Sequence, residues 1–261
     1  MCFDFDARPP DLPADLAIAP LAGGAGAELL ELTAADGARF SAALAESPGG
    51  SEPAVVILPD VRGLYRFYVE LAERFAQAGH HAIAIDYFGR SAGTGERGEE
   101  FDYMPEVVKT RVGTVQLDIA AAIEALGERT GARSVVTVGF CFGGSQSFAA
   151  ATNAGLELTA AVGFYGRLVP SREGAPAPLE HAGETRCPVL GLFGGADAAI
   201  ALEDVEAYDR ALDDAGVEHE IVTYPGAPHS FFDRSQAEHA AASDDAWRRV
   251  LDFLRSVAVA A

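Results

Sequence analysis

Ser134-Val135-Val136-Thr137-Val138-Gly139-Phe140-Cys141-Phe142-Gly143-Gly144 decides the fold. The β-branched run 134–138 predicts a short buried strand, and the text from Gly144 to about 154 predicts a helix. A turn joining the two so tightly strains the backbone and needs small residues two before and two after its apex, which Gly139 and Gly143 supply. Its apex, Cys141, is thereby expected above the C-terminal edge of a sheet, beside the positive end of the following helix. Helix dipole and backbone amides at that place favour a thiolate and stabilise an oxyanion. The plainer alternative is a buried apolar cysteine in a glycine-rich turn. A dinucleotide-binding turn also uses glycines, but the GxGxxG spacing is absent.

Outward from this turn the chain alternates. Strands are predicted at 54–58, 81–85, 134–138, 160–164, 189–193 and 218–224, with helices at 67–78, 106–126, 144–154, 201–214 and 236–256. Short apolar strands separated by helices require a sheet covered on both faces, so the expected class is α/β with a mostly parallel sheet. Runs 28–33 and 38–44 alternate more and flank Ala34-Ala35-Asp36-Gly37, which suits an antiparallel hairpin at one edge. Residues 1–27 read as an extended lead-in, and 28–261 as one domain. Residues 171–184, with two prolines and few apolar side chains, read as an irregular excursion bordering the site.

The 261 residues are 49% hydrophobic, enough for one large core. Nineteen Lys and Arg against 39 Asp and Glu leave a formal charge of -20, a field that repels nucleic acid and anionic lipid. A small anionic substrate stays compatible with it, because one or two arginines inside a pocket outweigh a distant acidic surface. Cys2, Cys141 and Cys187 are odd in number, and no CxxC pair occurs, which points to a reducing compartment. The acidic start lacks the features of a signal peptide, and no run of about 18 apolar residues occurs. A cytoplasmic protein acting on a small molecule is expected, without nucleic-acid or membrane partners, either as a monomer or as a small homo-oligomer.

A thiol nucleophile works with a histidine base whose tautomer a carboxylate fixes. His229 lies in Tyr224-Pro225-Gly226-Ala227-Pro228-His229-Ser230-Phe231, between the last predicted strand and the last helix. Asp197 ends Gly194-Gly195-Ala196-Asp197, just past another strand. Taken singly, His229 reads equally as a capping or surface residue, and Asp197 as a turn former or helix N-cap. Together the chain order is nucleophile, acid, histidine, the order of an α/β-hydrolase fold. Among the remaining histidines, His80 and His81 look structural, while His181, His219 and His239 lack ligand-like spacing, so no metal or cofactor is expected. Tyr87, Phe88, Phe142, Tyr165, Phe231 and Phe232 fall near predicted C-terminal strand ends, where they are candidates to line a small apolar pocket or to join the core.

These residues resemble the dienelactone hydrolase family, in which a cysteine stands in place of the usual serine. The resemblance runs from about Glu28 to near the C-terminus. Gly139-Phe-Cys141-Phe-Gly-Gly144, Gly194-Gly-Ala-Asp197 and Pro228-His229-Ser-Phe231 carry it. It implies cleavage of a small ester or enol lactone by a Cys141-His229-Asp197 triad through a thioester. It also implies oxyanion donors at the Val61 and Phe142 N–H groups and a thiol-modulating acid at Asp60, where the family has glutamate. Two family arginines hold a substrate carboxylate: Arg90 matches the first, whereas Asp233 occupies the second place, with Arg234 one step further. The rival reading is a non-catalytic or redox-sensing hydrolase-like protein with a reactive Cys141.

Overall fold

The computed structural model describes residues 3–13 and 26–260. Its strands are β1 (Glu28–Thr33), β2 (Arg39–Ala45), β3 (Ser51–Leu58), β4 (His80–Ile85), β5 (Val135–Phe140), β6 (Ala160–Phe164), β7 (Val189–Gly194) and β8 (His219–Tyr224). Its helices are α1 (Arg66–Gln77), α2 (Gly89–Ala92), α3 (Met104–Lys109), α4 (Val112–Thr130), α5 (Phe142–Ala150), α6 (Leu202–Asp214) and α7 (Ala240–Ala260). The eight strands form one sheet in the order β1-β2-β4-β3-β5-β6-β7-β8. β1 and β2 pair antiparallel, as do β2 and β4, and every later pairing is parallel. This is an α/β-hydrolase fold, as the alternation of strands and helices predicts.

The apolar runs explain the layers. β5, β6 and β7 are buried along their whole length, whereas β1, at one edge, is largely exposed. Alternate residues of β3 and β4 face opposite ways: Val55, Ile57, Ala82 and Ala84 join one core, and Val56, Leu58, Ile83 and Ile85 the other. α1 and α7 cover the first face, meeting at Phe75 and Trp247 with ring centroids 5.0 Å apart. α4 covers the second with Val115, Ile119, Ala122 and Leu126. The lead-in carries no helix or strand over residues 3–13 but packs on the first face: Phe3 stacks on Phe67 at 4.0 Å, and Trp247 Nε1 donates to the Pro10 carbonyl at 3.2 Å. Of the rest of that lead-in, residues 1–2 and 14–25 lie outside the described residues, and 26–27 lead into β1.

Two details depart from the sequence-based expectation. The helix expected over 106–126 is two helices, α3 and α4, because Thr110 and Arg111 both adopt extended backbone (ψ 139 and 143). The last helix begins at Ala240 after a 3-10 turn over Ala237–His239, four residues later than expected. No helix among the described residues is long and apolar enough to cross a membrane.

β3 sits between β4 and β5, so the connections leaving β3 and β5 run to opposite sides. Such a switch point opens a crevice at the C-terminal ends of the strands. The pairing Leu58 with Gly139 brings the end of β3 level with the turn after β5.

Candidate active site

Cys141 lies between β5 and α5 with φ 54 and ψ -111, a left-handed conformation that costs a non-glycine residue of order 1–3 kcal/mol. Its N–H donates to the Phe164 carbonyl at 3.0 Å, and its own carbonyl accepts from Ser145 N–H at 3.2 Å. The surrounding glycines are needed for space. A Cβ on Gly139 would lie 2.0 Å from the Gly143 carbonyl oxygen, and one on Gly143 would lie 2.0 Å from that of Leu58. Gly143 thus lets the turn press against the end of β3, and α5 starts at the residue after the thiol. Cys141 is half-buried, whereas Cys187 is buried and its thiol is pushed up to about 12 by that burial. Burial thus disfavours the thiolate of Cys187.

The loop after β3 carries Asp60 and Val61. Asp60 is buried, and its carboxylate accepts from Arg62 N–H at 2.8 Å and faces the Arg62 guanidinium at 3.4 Å. Its own N–H donates to the Tyr68 hydroxyl at 2.9 Å. From β4, the Tyr87 hydroxyl donates to the Pro59 carbonyl and reaches that of Asp60 at 3.3 Å. Two tyrosines therefore fasten the loop that presents Val61.

Asp197 and His229 follow β7 and β8. His229 Nδ1 lies 2.6 Å from Asp197 Oδ2, with only 1% of the Asp197 side chain exposed. Asp197 Oδ1 accepts from Ala199 N–H at 2.7 Å. Burial raises the Asp197 carboxyl, but the His229 hydrogen bond and charge together with the Ala199 and Ile200 amides outweigh it, holding the group below its ordinary value. The two loops are stitched together: Gly195 N–H donates to the Tyr224 carbonyl at 2.8 Å and Ala196 N–H to that of Ala227 at 2.9 Å. A Cβ on Gly194 would meet the Ala227 carbonyl at 2.5 Å. Ser230, next to His229, takes φ 58, and the Tyr165 ring lies 4.9 Å from the imidazole.

Cys141, Phe142, Val61 and His229 all line one cavity of about 310 Å³ at the C-terminal edge of the sheet. That is the small end of the range for small-molecule sites. Ser171, Arg172, Ala175 and Pro176 border it as well, so the excursion read at 171–184 reaches the site.

Arg90, Arg234, Tyr87 and Phe231 are engaged elsewhere and do not line this cavity, nor do the wholly buried Phe88 and Phe232. Arg90 is bound to Asp118 by Nε and Nη2, the latter at 2.8 Å, and pairs with Asp36. Arg234 meets Asp11 at 3.2 Å, next to the packed N-terminal segment. Tyr87 spends its hydroxyl on the Val61 loop and its ring against Phe142 at 5.4 Å. Phe231 is wholly buried between Phe164, Tyr165 and Tyr224. Conversely, Arg167 and Arg172 line the cavity without having been read as site residues. Arg167 stands three residues past the end of β6, where the rule that sites gather at C-terminal strand edges would have found it.

The sequence model of the dienelactone hydrolase family matches residues 40–258. Among curated proteins, "Putative carboxymethylenebutenolidase" of Salmonella typhimurium is 31% identical over 213 residues, covering 78% of this chain and 77% of that protein. A protein of the same name from Saccharolobus solfataricus is 30% identical, covering 85% and 96%. Among solved structures, "Putative Dienelactone Hydrolase" from Klebsiella pneumoniae superposes with a TM-score of 0.75 at 29% identity, covering 87% of this chain and 99% of that one. With its sheet order, the turn at Cys141 and a family match spanning most of its length, the chain belongs to the dienelactone hydrolase family and is a hydrolase of the carboxylic-ester and lactone hydrolase superfamily.

Proposed function

We propose that the chain hydrolyses small carboxylic esters and enol lactones with Cys141 as nucleophile, His229 as base and Asp197 as the carboxylate that orients it. One observation carries this reading: a histidine hydrogen-bonded to a buried carboxylate opens into the same small cavity as a thiol held at a strained strand-helix turn.

In this cycle His229 accepts the thiol proton and the thiolate attacks the substrate carbonyl carbon. The resulting oxyanion rests on the Val61 and Phe142 N–H groups, each donor contributing about 3 kcal/mol in comparable sites. Collapse breaks the carbon–oxygen bond, and the imidazolium protonates the departing alkoxide, which in a lactone stays attached to the acyl group. Water, deprotonated by His229, then attacks the thioester carbonyl. Expulsion of the thiolate restores the enzyme. Ionised Asp197 stabilises the imidazolium formed at both stages. Asp60, anchored by Arg62 in the loop that presents Val61, is the thiol-modulating acid in this reading.

Cys141→Ala is expected to abolish hydrolysis of 4-nitrophenyl esters while keeping the wild-type melting temperature. Wild-type protein quenched during turnover is expected to carry the acyl mass on the peptide containing Cys141. Full activity in the folded Cys141→Ala variant would sink the reading. Reversible oxidation of Cys141 without turnover of any acyl substrate would favour redox sensing instead.

A further inference from the structure

We propose that Arg167 and Arg172, on the connection between β6 and β7, form an anion subsite that selects acyl substrates bearing a carboxylate or a similar oxyanion. This inference deepens the proposed function and rests on it. Among the described residues no Asp or Glu lines the cavity, although the chain contains 39 of them, and the two arginines are the only formal charges there apart from a protonated His229. Neither arginine pairs with a carboxylate among the described residues. Arg90 and Arg97, by contrast, are each bound to a buried aspartate, Asp118 and Asp86.

The two arginines differ in how they are held. Arg172 is half-buried, its Nη2 donating to the Val107 and Thr110 carbonyls at 2.5 and 2.8 Å and its Nη1 to that of Glu173 at 3.1 Å. These bonds fix the plane of the guanidinium at the C-terminal end of α3. They use three of its five N–H donors, leaving Nε–H and one Nη1 hydrogen for a ligand. Burial and the neighbouring charge of Arg111 hold Arg172 below its ordinary value, so an anion beside it would relieve an unbalanced positive charge. Arg167 is exposed and its guanidinium takes no hydrogen-bond or ion-pair partner among the described residues, while Ser145 Oγ donates to its backbone carbonyl at 2.8 Å. A fixed fork and a free one at the rim of a small cavity suit an oxyanion, which guanidinium groups bind with paired hydrogen bonds. Because the chain is otherwise strongly acidic, a neutral substrate gains nothing from these charges, whereas an anion approaching the site depends on them.

The test compares matched esters. Mono(4-nitrophenyl) glutarate against 4-nitrophenyl butyrate places the charge on the acyl side, and 4-acetoxybenzoate against phenyl acetate places it on the leaving group. Wild-type protein is expected to favour the anionic member of at least one pair by roughly tenfold or more in kcat/KM. Arg167→Gln and Arg172→Gln are each expected to lower that ratio, and the double variant to abolish it, while Arg172→Lys retains part of it. Arg167→Gln breaks no side-chain bond, so it keeps the test meaningful if loss of Arg172 disturbs α3. Equal rates within each pair, or a preference that survives the double variant, overturn the subsite. Calorimetric titration with glutarate separates this failure from failure of the hydrolase reading. Binding by wild-type and Cys141→Ala protein that the double variant loses supports the subsite even if no ester is turned over. No binding, or the same affinity in the double variant, overturns it.

Discussion

Asp197→Asn isolates the carboxylate without changing the size of its side chain. Both carboxylate oxygens accept from N–H groups: Oδ2 from His229 Nδ1 at 2.6 Å, and Oδ1 from the Ala199 backbone at 2.7 Å. Asparagine offers a single acceptor oxygen. The Ala199 N–H belongs to the main chain and cannot turn away, so the oxygen stays with it and the NH₂ faces the imidazole. His229 Nδ1 then becomes an acceptor, which puts the ring proton on Nε2, the nitrogen that takes the thiol proton in the proposed cycle. The base is lost through the tautomer with the geometry intact, and the negative charge that stabilised the imidazolium is lost as well. Where a buried aspartate serves a catalytic histidine in this way, the loss is roughly 10⁴-fold in kcat, or about 5 kcal/mol. A thiol is more acidic than a hydroxyl and needs less help, so the expected fall in kcat/KM here is roughly 10²–10⁴-fold. The assay is ester hydrolysis from pH 5 to 9, paired with the rate of Cys141 alkylation by iodoacetamide over the same range. Both are expected to shift toward alkaline pH in the variant. A folded Asp197→Asn variant within tenfold of wild type, with an unshifted alkylation profile, would refute the reasoning.

Tyr87→Phe removes the hydroxyl that holds the Pro59 and Asp60 carbonyls; about 1–3 kcal/mol of stability is expected to go with it, by urea titration. Because the Val61 amide then drifts, kcat is expected to fall roughly tenfold with KM little changed, and an unchanged kcat would remove Tyr87 from oxyanion positioning. Gly143→Ala drives a Cβ to 2.0 and 2.4 Å from the Leu58 and Pro59 carbonyl oxygens, both backbone, so β3 and β5 have to part. A loss of about 3 kcal/mol or more is expected, and a melting temperature within a few degrees of wild type would contradict the close approach. Burial pushes the Asp118 carboxyl up to about 6 despite the Arg90 hydrogen bonds and ion pair that favour its charged form. A carboxyl raised on folding binds its proton in the native state first, so its contribution favours the native state below the unfolded value of 3.8 and is lost as pH rises through 6. Asp118→Asn is expected to gain on wild type over that window, by an amount on the order of 3 kcal/mol between pH 4 and 7, measured by denaturant titration; a pH-independent difference would sink the idea.

The turn at Cys141 was legible because its requirements are local. A buried strand, glycines two positions either side and an immediate helix start are all written within eleven consecutive residues. The placement of Asp197 and His229 needed only the sheet, since any side chain just past a parallel strand reaches the same edge. Side-chain direction in short irregular pieces is a different matter. Arg90 falls in α2, a single turn from Gly89 to Ala92 with no apolar period to announce it, and on a helix each successive residue points about 100° further round. Its match to a family arginine therefore carried no information about where the guanidinium goes. That was decided by Asp118 on α4, 28 residues away in sequence, and by Asp36 in the β1–β2 turn.

The break between α3 and α4 and the place of Arg172, both missed in the sequence reading, have one origin. Val107, Val108, Val112 and Val115 keep an apolar helical pattern running through 106–126, and nothing in that pattern marks a stop. The chain nevertheless turns extended at Thr110 and Arg111, ending α3 at Lys109, with Thr110 N–H closing onto the Glu106 and Val107 carbonyls at 3.1 and 3.3 Å. Thr110 Oγ1 adds a second bond to the Glu106 carbonyl at 2.9 Å, and the Arg172 guanidinium adds one to the Val107 carbonyl and also binds the Thr110 carbonyl. Had the helix continued unbroken, the Thr110 carbonyl would have been spent on an intrahelical bond and Arg172 would have lost that anchor. The break in the helix and the presence of a fixed positive charge in the cavity wall are therefore one feature. In a chain of net charge -20, that feature is what the proposed anion subsite relies on to admit a negatively charged ester to Cys141.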